Sequence, residues 1–251
     1  SDRAKLMAAM NEASSELKAD SVVIENIIRT HQSEISYNGL PVTRAALQRI
    51  SPDLAKRVDS MAVGQTTEPF QTGNDNIGYT LNVAKLVAKS QQPDSIEFRQ
   101  IRVGGATEDE IARRADSIYT ALKNGAAFDS LAVKYGESGE KQWFTSAAYQ
   151  NNNTTLDSDT KQYFRTIMTL GSGEVKNLKL SQMNIILQVT DRKAMVDKYD
   201  VALVRRYVDF SDSTAIAAYN TFSQYVSESQ TIEAMEENAG KYGYIVESAR
   251  I

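Results

Sequence analysis

The chain has 251 residues, a formal net charge of −4, no cysteine and a single histidine, His31. Disulfides, thiolate catalysis, thiolate-bound zinc and histidine-rich metal sites are thereby excluded. Lys and Arg are interspersed with Asp and Glu rather than gathered into the basic face of a nucleic-acid binder, and no apolar run reaches the roughly 18 residues of a membrane span.

From the N-terminus, DRAKLMAAMNEASSELKA predicts a helix with Leu6, Met10, Ala13 and Leu17 on one face. His31 lies in a polar stretch with no nucleophile at a fixed spacing, and reads as a surface or capping histidine rather than a catalytic base. DLAKRVDSMAVGQ predicts a second helix that ends in a glycine turn. GNDNIG (73–78) lacks the closing acidic residue of a calcium loop and predicts a hairpin turn before the strand LNVAKLVAKS (81–90).

A clearer unit follows. IEFRQIRV (96–103) alternates as a strand, with Gln100 on the face of Ile96 and Phe98. Thr107 and Glu110 form a capping box, and Ile111, Ala115, Ile118 and Leu122 line one face of the helix it starts. Gly125 stops that helix. A shorter one carries Phe128, Leu131, Ala132 and Tyr135 and ends at Gly136. QWF (142–144) predicts a strand with Trp143 anchoring the core, and 150–159 a polar loop. The next helix carries Tyr163, Phe164, Ile167, Met168 and Leu170 and breaks at Gly171 and Gly173. GSG (171–173) has no Lys-Ser/Thr after it and is not a phosphate loop. Strands close the unit near 174–180 and 183–190, and Asn184 puts an amide at the entry of the last apolar run.

The N-terminal part repeats the end of this unit. DLAKRVDSMAVGQTTEPF parallels DTKQYFRTIMTLGSGEVKNL, and LNVAKLVAKS parallels MNIILQVTDR, so that Asn82 falls opposite Asn184. The expected division is 1–91, a copy lacking its first strand at the boundary of the sequence, 93–195, the full unit, and 197–251, a β-α-α-β segment and partial third copy. In the last segment YDVALVRRYV and GYIVESARI are the expected strands. Ser211 or Ser213 caps a helix with Ile216, Tyr219, Phe222 and Val226, and Ile232, Met235 and Ala239 line a second.

The strand before a capped helix, LKNGAAFDSLAVKYGES, the WF pair, LGSGEV and MNIILQV together resemble the parvulin-type peptidyl-prolyl cis-trans isomerases, over about 95–193 and more weakly over 1–92. The layout resembles the PpiD and SurA group of periplasmic foldases. The resemblance implies an α+β class with tandem parvulin-like (FKBP-like α+β sandwich) domains plus a smaller C-terminal α+β segment. It also implies a location in the periplasm or envelope of a Gram-negative bacterium. The implied partners are unfolded or partly folded polypeptides, with no nucleic acid, no metal or other cofactor, and no membrane contact in this stretch, any anchor lying outside it.

Carried over residue by residue, the family's two facing histidines fall on Gln100 and Asn184, with Asn82 the closing-strand position of the first copy. A Cys or Asp position falls on Ser138, and the proline-pocket walls fall on Tyr163 and Asp159. Gln100 and Asn184 are expected to lie close enough to hydrogen-bond each other. An unpaired buried carboxylate is costly, so Asp159 is expected to point to water. These departures favour a chaperone-like binder of unfolded envelope proteins with weak or no isomerase activity. An active isomerase and spacer domains of a larger foldase are the alternatives.

Overall fold

The computed structural model describes residues 2–19, 21–208 and 212–246. Its frame is a six-stranded sheet built on two long antiparallel strands, β3 (Gly78–Val103) and β6 (Asn184–Tyr207), paired from Thr80 opposite Tyr207 to Val103 opposite Asn184. At one end β1 (Val42–Thr43) lies outside β6 and β2 (Phe70–Asn74) outside β3. At the other end β4 (Gln142–Phe144) pairs with β3 and β5 (Val175–Lys179) with β6. The turn between β2 and β3 is the expected hairpin, with Asn74 opposite Gly78.

This arrangement differs from the sequence reading in one respect that matters for the site. The segments 81–90 and 96–103 are one strand, and so are 184–192 and 198–207, so the expected boundaries near 92 and 196 fall inside the pairing of β3 with β6. YDVALVRRYV does not open a separate segment: it lies in β6 against residues 80–90. Lys198 pins the crossing, only 1% exposed, with its Nζ donating to the Pro93 carbonyl at 3.2 Å and 3.7 Å from Asp94. Burial pulls its pKa down.

Helices cover both faces of each half. On the first half, α1 (Asp2–Lys18) and α2 (Ile24–Thr30) bury Met10, Leu17 and Ile27 against Leu81 and Val83, while α3 (Arg44–Ile50) and α4 (Pro52–Ser60) bury Leu47 and Leu54 against Ala84 and Leu86. Alternation along β3 puts these two clusters on opposite faces. On the second half, α5 (Glu108–Lys123) and α6 (Phe128–Lys134) cover Ile101, Val103 and Ile186. The short α7 (Ala147–Gln150) and α8 (Ser158–Thr169) cover Ile96, Phe98, Ile185 and Leu187.

The Thr107 hydroxyl accepts from the Glu110 N–H at 3.2 Å, as a capping box requires, but Glu110 reaches back to the Ala106 N–H instead of that of Thr107. Trp143 does not anchor the core. It is 48% exposed under the Lys193 ammonium, and Phe144, 6% exposed, takes the inward face of β4.

The C-terminal segment forms α9 (Asp212–Glu228) and α10 (Ile232–Tyr242), joined by Tyr225 packing between Tyr242 and Tyr244 at 5.6 and 5.0 Å. Tyr219 and Phe222 stay exposed. Residues 244–246 of the expected last strand are not in a strand. Its remainder, Ser211 and the side chains of Ser213 and Ile216 lie outside the described residues.

Candidate functional site

The face of the sheet under α8 holds one pair of the expected residues. Gln100 follows Phe98 on β3, and Tyr163 hangs from α8 above it. The Tyr163 hydroxyl donates to the Gln100 Oε1 at 2.6 Å, and its ring meets Phe98 edge-on at 6.4 Å. Burial raises the Tyr163 pKa, so the phenol stays protonated as this donor. Next along the same face, Arg102 holds Glu137 through two bonds of 2.9 and 3.3 Å.

Asn184 does not join them. In the register Gln100 lies opposite Leu187 and Asn184 opposite Val103, so Asn184 stands on the α5 face while Gln100 stands on the α8 face. An odd offset in an antiparallel pair sends the two side chains to opposite sides of the sheet. Asn184 is buried and donates to Asn177 at 3.0 Å, and Asn177 donates to Asp116 on α5 at 3.2 Å. The expected Gln100–Asn184 contact is absent, and Asn184 serves the packing of α5 on β5 and β6.

Asp159 is half-buried and does not point freely to water. Its carboxylate accepts from the Ser181 N–H at 3.1 and 3.2 Å and from the Ser181 hydroxyl, which ties the start of α8 to the turn between β5 and β6. Ser138 is exposed in the loop after α6, and its hydroxyl accepts from the Glu140 N–H at 3.3 Å.

Asn82 is fully buried. It donates to Thr72 and Thr80 hydroxyls at 3.2 and 3.1 Å and accepts from the Arg205 guanidinium at 2.8 Å. Arg205 also donates to the Ile50 carbonyl at 3.2 Å. Asn82 is thus a satisfied polar node joining β2, β3, β6 and the end of α3, closed to any ligand. His31 caps α2 but is no surface residue: it is 8% exposed, and its Nε2 lies 3.0 Å from Glu16 of α1.

The feature the sequence reading missed is a cleft of about 290 Å³ at the outer edge of β6, lined by Leu40, Leu47, Ile50, Tyr149, Val201 and Leu203 among others. It lies where residues 33–44 of the first half meet the loop after α7. Amides stitch the two together. Asn153 accepts from the Ser36 N–H at 2.8 Å and donates to the Glu34 carbonyl at 2.7 Å. Asn38 donates to the Thr154 carbonyl at 2.9 Å and accepts from the Leu156 N–H at 2.8 Å. The NNNTT run that read as a plain polar loop is the signal that could have pointed here. Among the described residues no group of His, Cys, Asp and Glu is placed to hold a metal ion, and no helix is long and apolar enough to cross a membrane.

Residues 81–193 match the family described as the PPIC-type PPIASE domain. The chaperone SurA of Pseudomonas putida is 30% identical over 96 residues, which are 36% of this chain and 22% of that protein. No solved structure matches the chain. The match covers β3 from Leu81 onward, α5 to α8 with β4 and β5 among them, and β6 as far as Lys193, and this segment is similar to the PPIC-type, that is parvulin-type, family.

Proposed function

We propose that this chain is a parvulin-family folding factor that binds unfolded or partly folded polypeptides, in the periplasm or envelope of a Gram-negative bacterium, with weak or no prolyl isomerase activity in this region. Rotation about a prolyl bond faces a barrier of roughly 18–20 kcal/mol, and an enzyme lowers it by desolvating the amide and hydrogen-bonding its twisted form. The observation that carries the reading is the separation of Gln100 and Asn184 onto opposite faces. Two polar groups therefore do not converge on one amide, and the oxygen of Gln100 is already held by Tyr163. The likeness to a protein named chaperone SurA and the apolar cleft beside β6 support polypeptide binding.

One observation favours an active isomerase instead. Gln100 uses its oxygen on Tyr163, which leaves its NH2 group as a donor beside the Phe98 and Tyr163 rings. The two readings separate in paired assays on the whole chain. The binding reading expects suppressed aggregation of a diluted unfolded protein, with prolyl-peptide isomerisation at the spontaneous rate. Isomerisation well above that rate, lost in Gln100→Ala, would establish the enzyme.

A further inference from the structure

The outer edge of β6 is covered on either side of one residue. Toward its middle, β1 pairs Val42 with Tyr199 and Thr43 with Lys198. Toward its end, the Ser33 hydroxyl donates to the Leu203 carbonyl at 3.0 Å and accepts from the Arg205 N–H at 3.0 Å, and the Glu34 N–H donates to the Arg205 carbonyl at 2.8 Å. Val201 lies between. In an antiparallel strand the N–H and C=O of one residue point to the same side, and that side alternates along the chain. Leu203 and Arg205 direct theirs outward, so Val201 does as well.

The opposite strand agrees. Leu86, the partner of Val201, directs its N–H to the Gln65 carbonyl and its carbonyl to the Gly64 N–H, away from β6. Continued by two residues, β1 would set Leu40 against Val201. Gly39, at φ +64°, turns the chain off the edge, and pairing stops at Val42. Among the described residues, neither backbone group of Val201 has a hydrogen-bond partner on this side.

Val201 is itself among the residues that line the cleft, along the same outer edge of β6 toward which these two groups point. A buried or half-buried strand edge left with one unpaired N–H and C=O calls for another backbone, and the surrounding Leu40, Leu47, Ile50 and Leu203 call for an apolar side chain. A small apolar molecule would satisfy the second demand and not the first. We infer that the cleft takes an extended polypeptide segment, which adds to β6 as a short strand hydrogen-bonded to Val201 and seats one bulky apolar side chain among Leu40, Leu47, Ile50 and Leu203. The inference rests on the polypeptide-binding reading and names the mode and the sequence class of the bound segment: extended, uncharged and apolar.

The test uses the whole chain, isotope-labelled, with a synthetic acetyl-Thr-Leu-Val-Leu-Thr-amide peptide and its fully N-methylated analogue, which keeps the side chains and loses the backbone donors. The first peptide is expected to shift the resonances of the cleft and to slow hydrogen exchange of the Val201 amide by about tenfold or more, and the analogue to do neither. Val201→Pro removes the outward N–H without touching the β3 ladder, and it is expected to weaken peptide binding by roughly tenfold, the effect of one or two lost hydrogen bonds. Equal binding of both peptides would overturn the strand addition. Concentration-dependent broadening of the cleft without peptide would assign the edge to a second copy of the chain and overturn it also. Unshifted cleft resonances in a chain that still suppresses aggregation would sink this site and leave the binding reading standing. No shift and no suppression would remove both.

Discussion

Tyr163 on α8 gives its hydroxyl proton to the amide oxygen of Gln100 on β3, 63 residues away, at 2.6 Å. The bond closes the centre of the face where the parvulin site is expected, and it fastens α8 to the sheet. Its net worth is about 1 kcal/mol, the range of a half-buried neutral hydrogen bond. Tyr163→Phe and Gln100→Ala should each lower the unfolding free energy by about that much, and the double variant should lose less than the sum. Full additivity in denaturant titrations would show that the two side chains do not interact.

Asn82 and Arg205 bind a fully buried amide to a half-buried guanidinium at 2.8 Å, and burial lowers the Arg205 pKa. Removing one partner strands the other away from water. Asn82→Ala is expected to cost about 1–3 kcal/mol in unfolding free energy. Because Asn82 is closed to solvent, the same substitution should leave peptide binding by the folded chain unchanged. A loss of binding without a loss of stability would restore Asn82 as a site residue.

The exposed Trp143 and the buried Phe144 make a sharp contrast within one short strand. Phe144→Ala opens a cavity beside Tyr149 and Phe164 and should cost about 3–5 kcal/mol. Trp143→Ala should stay within about 1 kcal/mol, losing mainly the Lys193 contact. The native fluorescence of Trp143, the sole tryptophan, should be readily quenched by acrylamide.

Asp200 carries a stability cost that depends on pH. Its Oδ1 is buried without a hydrogen-bond partner, and burial pushes its carboxyl pKa up. The same burial and the nearby carboxylate push the Tyr37 phenol well above its ordinary value. A carboxyl whose folded pKa exceeds its unfolded one binds more protons when folded. The cost is absent below the unfolded pKa of about 3.9, grows as pH rises from there toward the folded pKa, and is complete above the folded pKa. Asp200→Asn should therefore raise the melting temperature near neutral pH, with the gain fading as pH falls toward about 4. A gain that is constant across that range would rule out Asp200 as its cause.

Local patterns made much of the fold legible. Leu6, Met10, Ala13 and Leu17 share a helix face because helical spacing is written into consecutive turns, and Thr107 announces the start of α5 by its own chemistry. The pairing of YDVALVRRYV with residues 80–90 could not be read that way. More than a hundred residues separate the partners, and strand pairing at that distance leaves no local mark. The facing of Gln100 and Asn184 failed for a related reason. Motif alignment places a residue on a strand, but the register decides its face, and one step in register exchanges the faces. The cleft escaped because it forms from backbone turned outward at Val201 and from side chains of three separated segments.

The most direct measurement is light scattering as a chemically unfolded, proline-free polypeptide is diluted into this chain, beside the same polypeptide carrying prolines. A binder that recognises extended apolar segments should suppress aggregation of both to the same extent, with no acceleration of prolyl isomerisation in the second. Suppression confined to the proline-bearing polypeptide, together with faster isomerisation, would contradict the reading and make this region an enzyme.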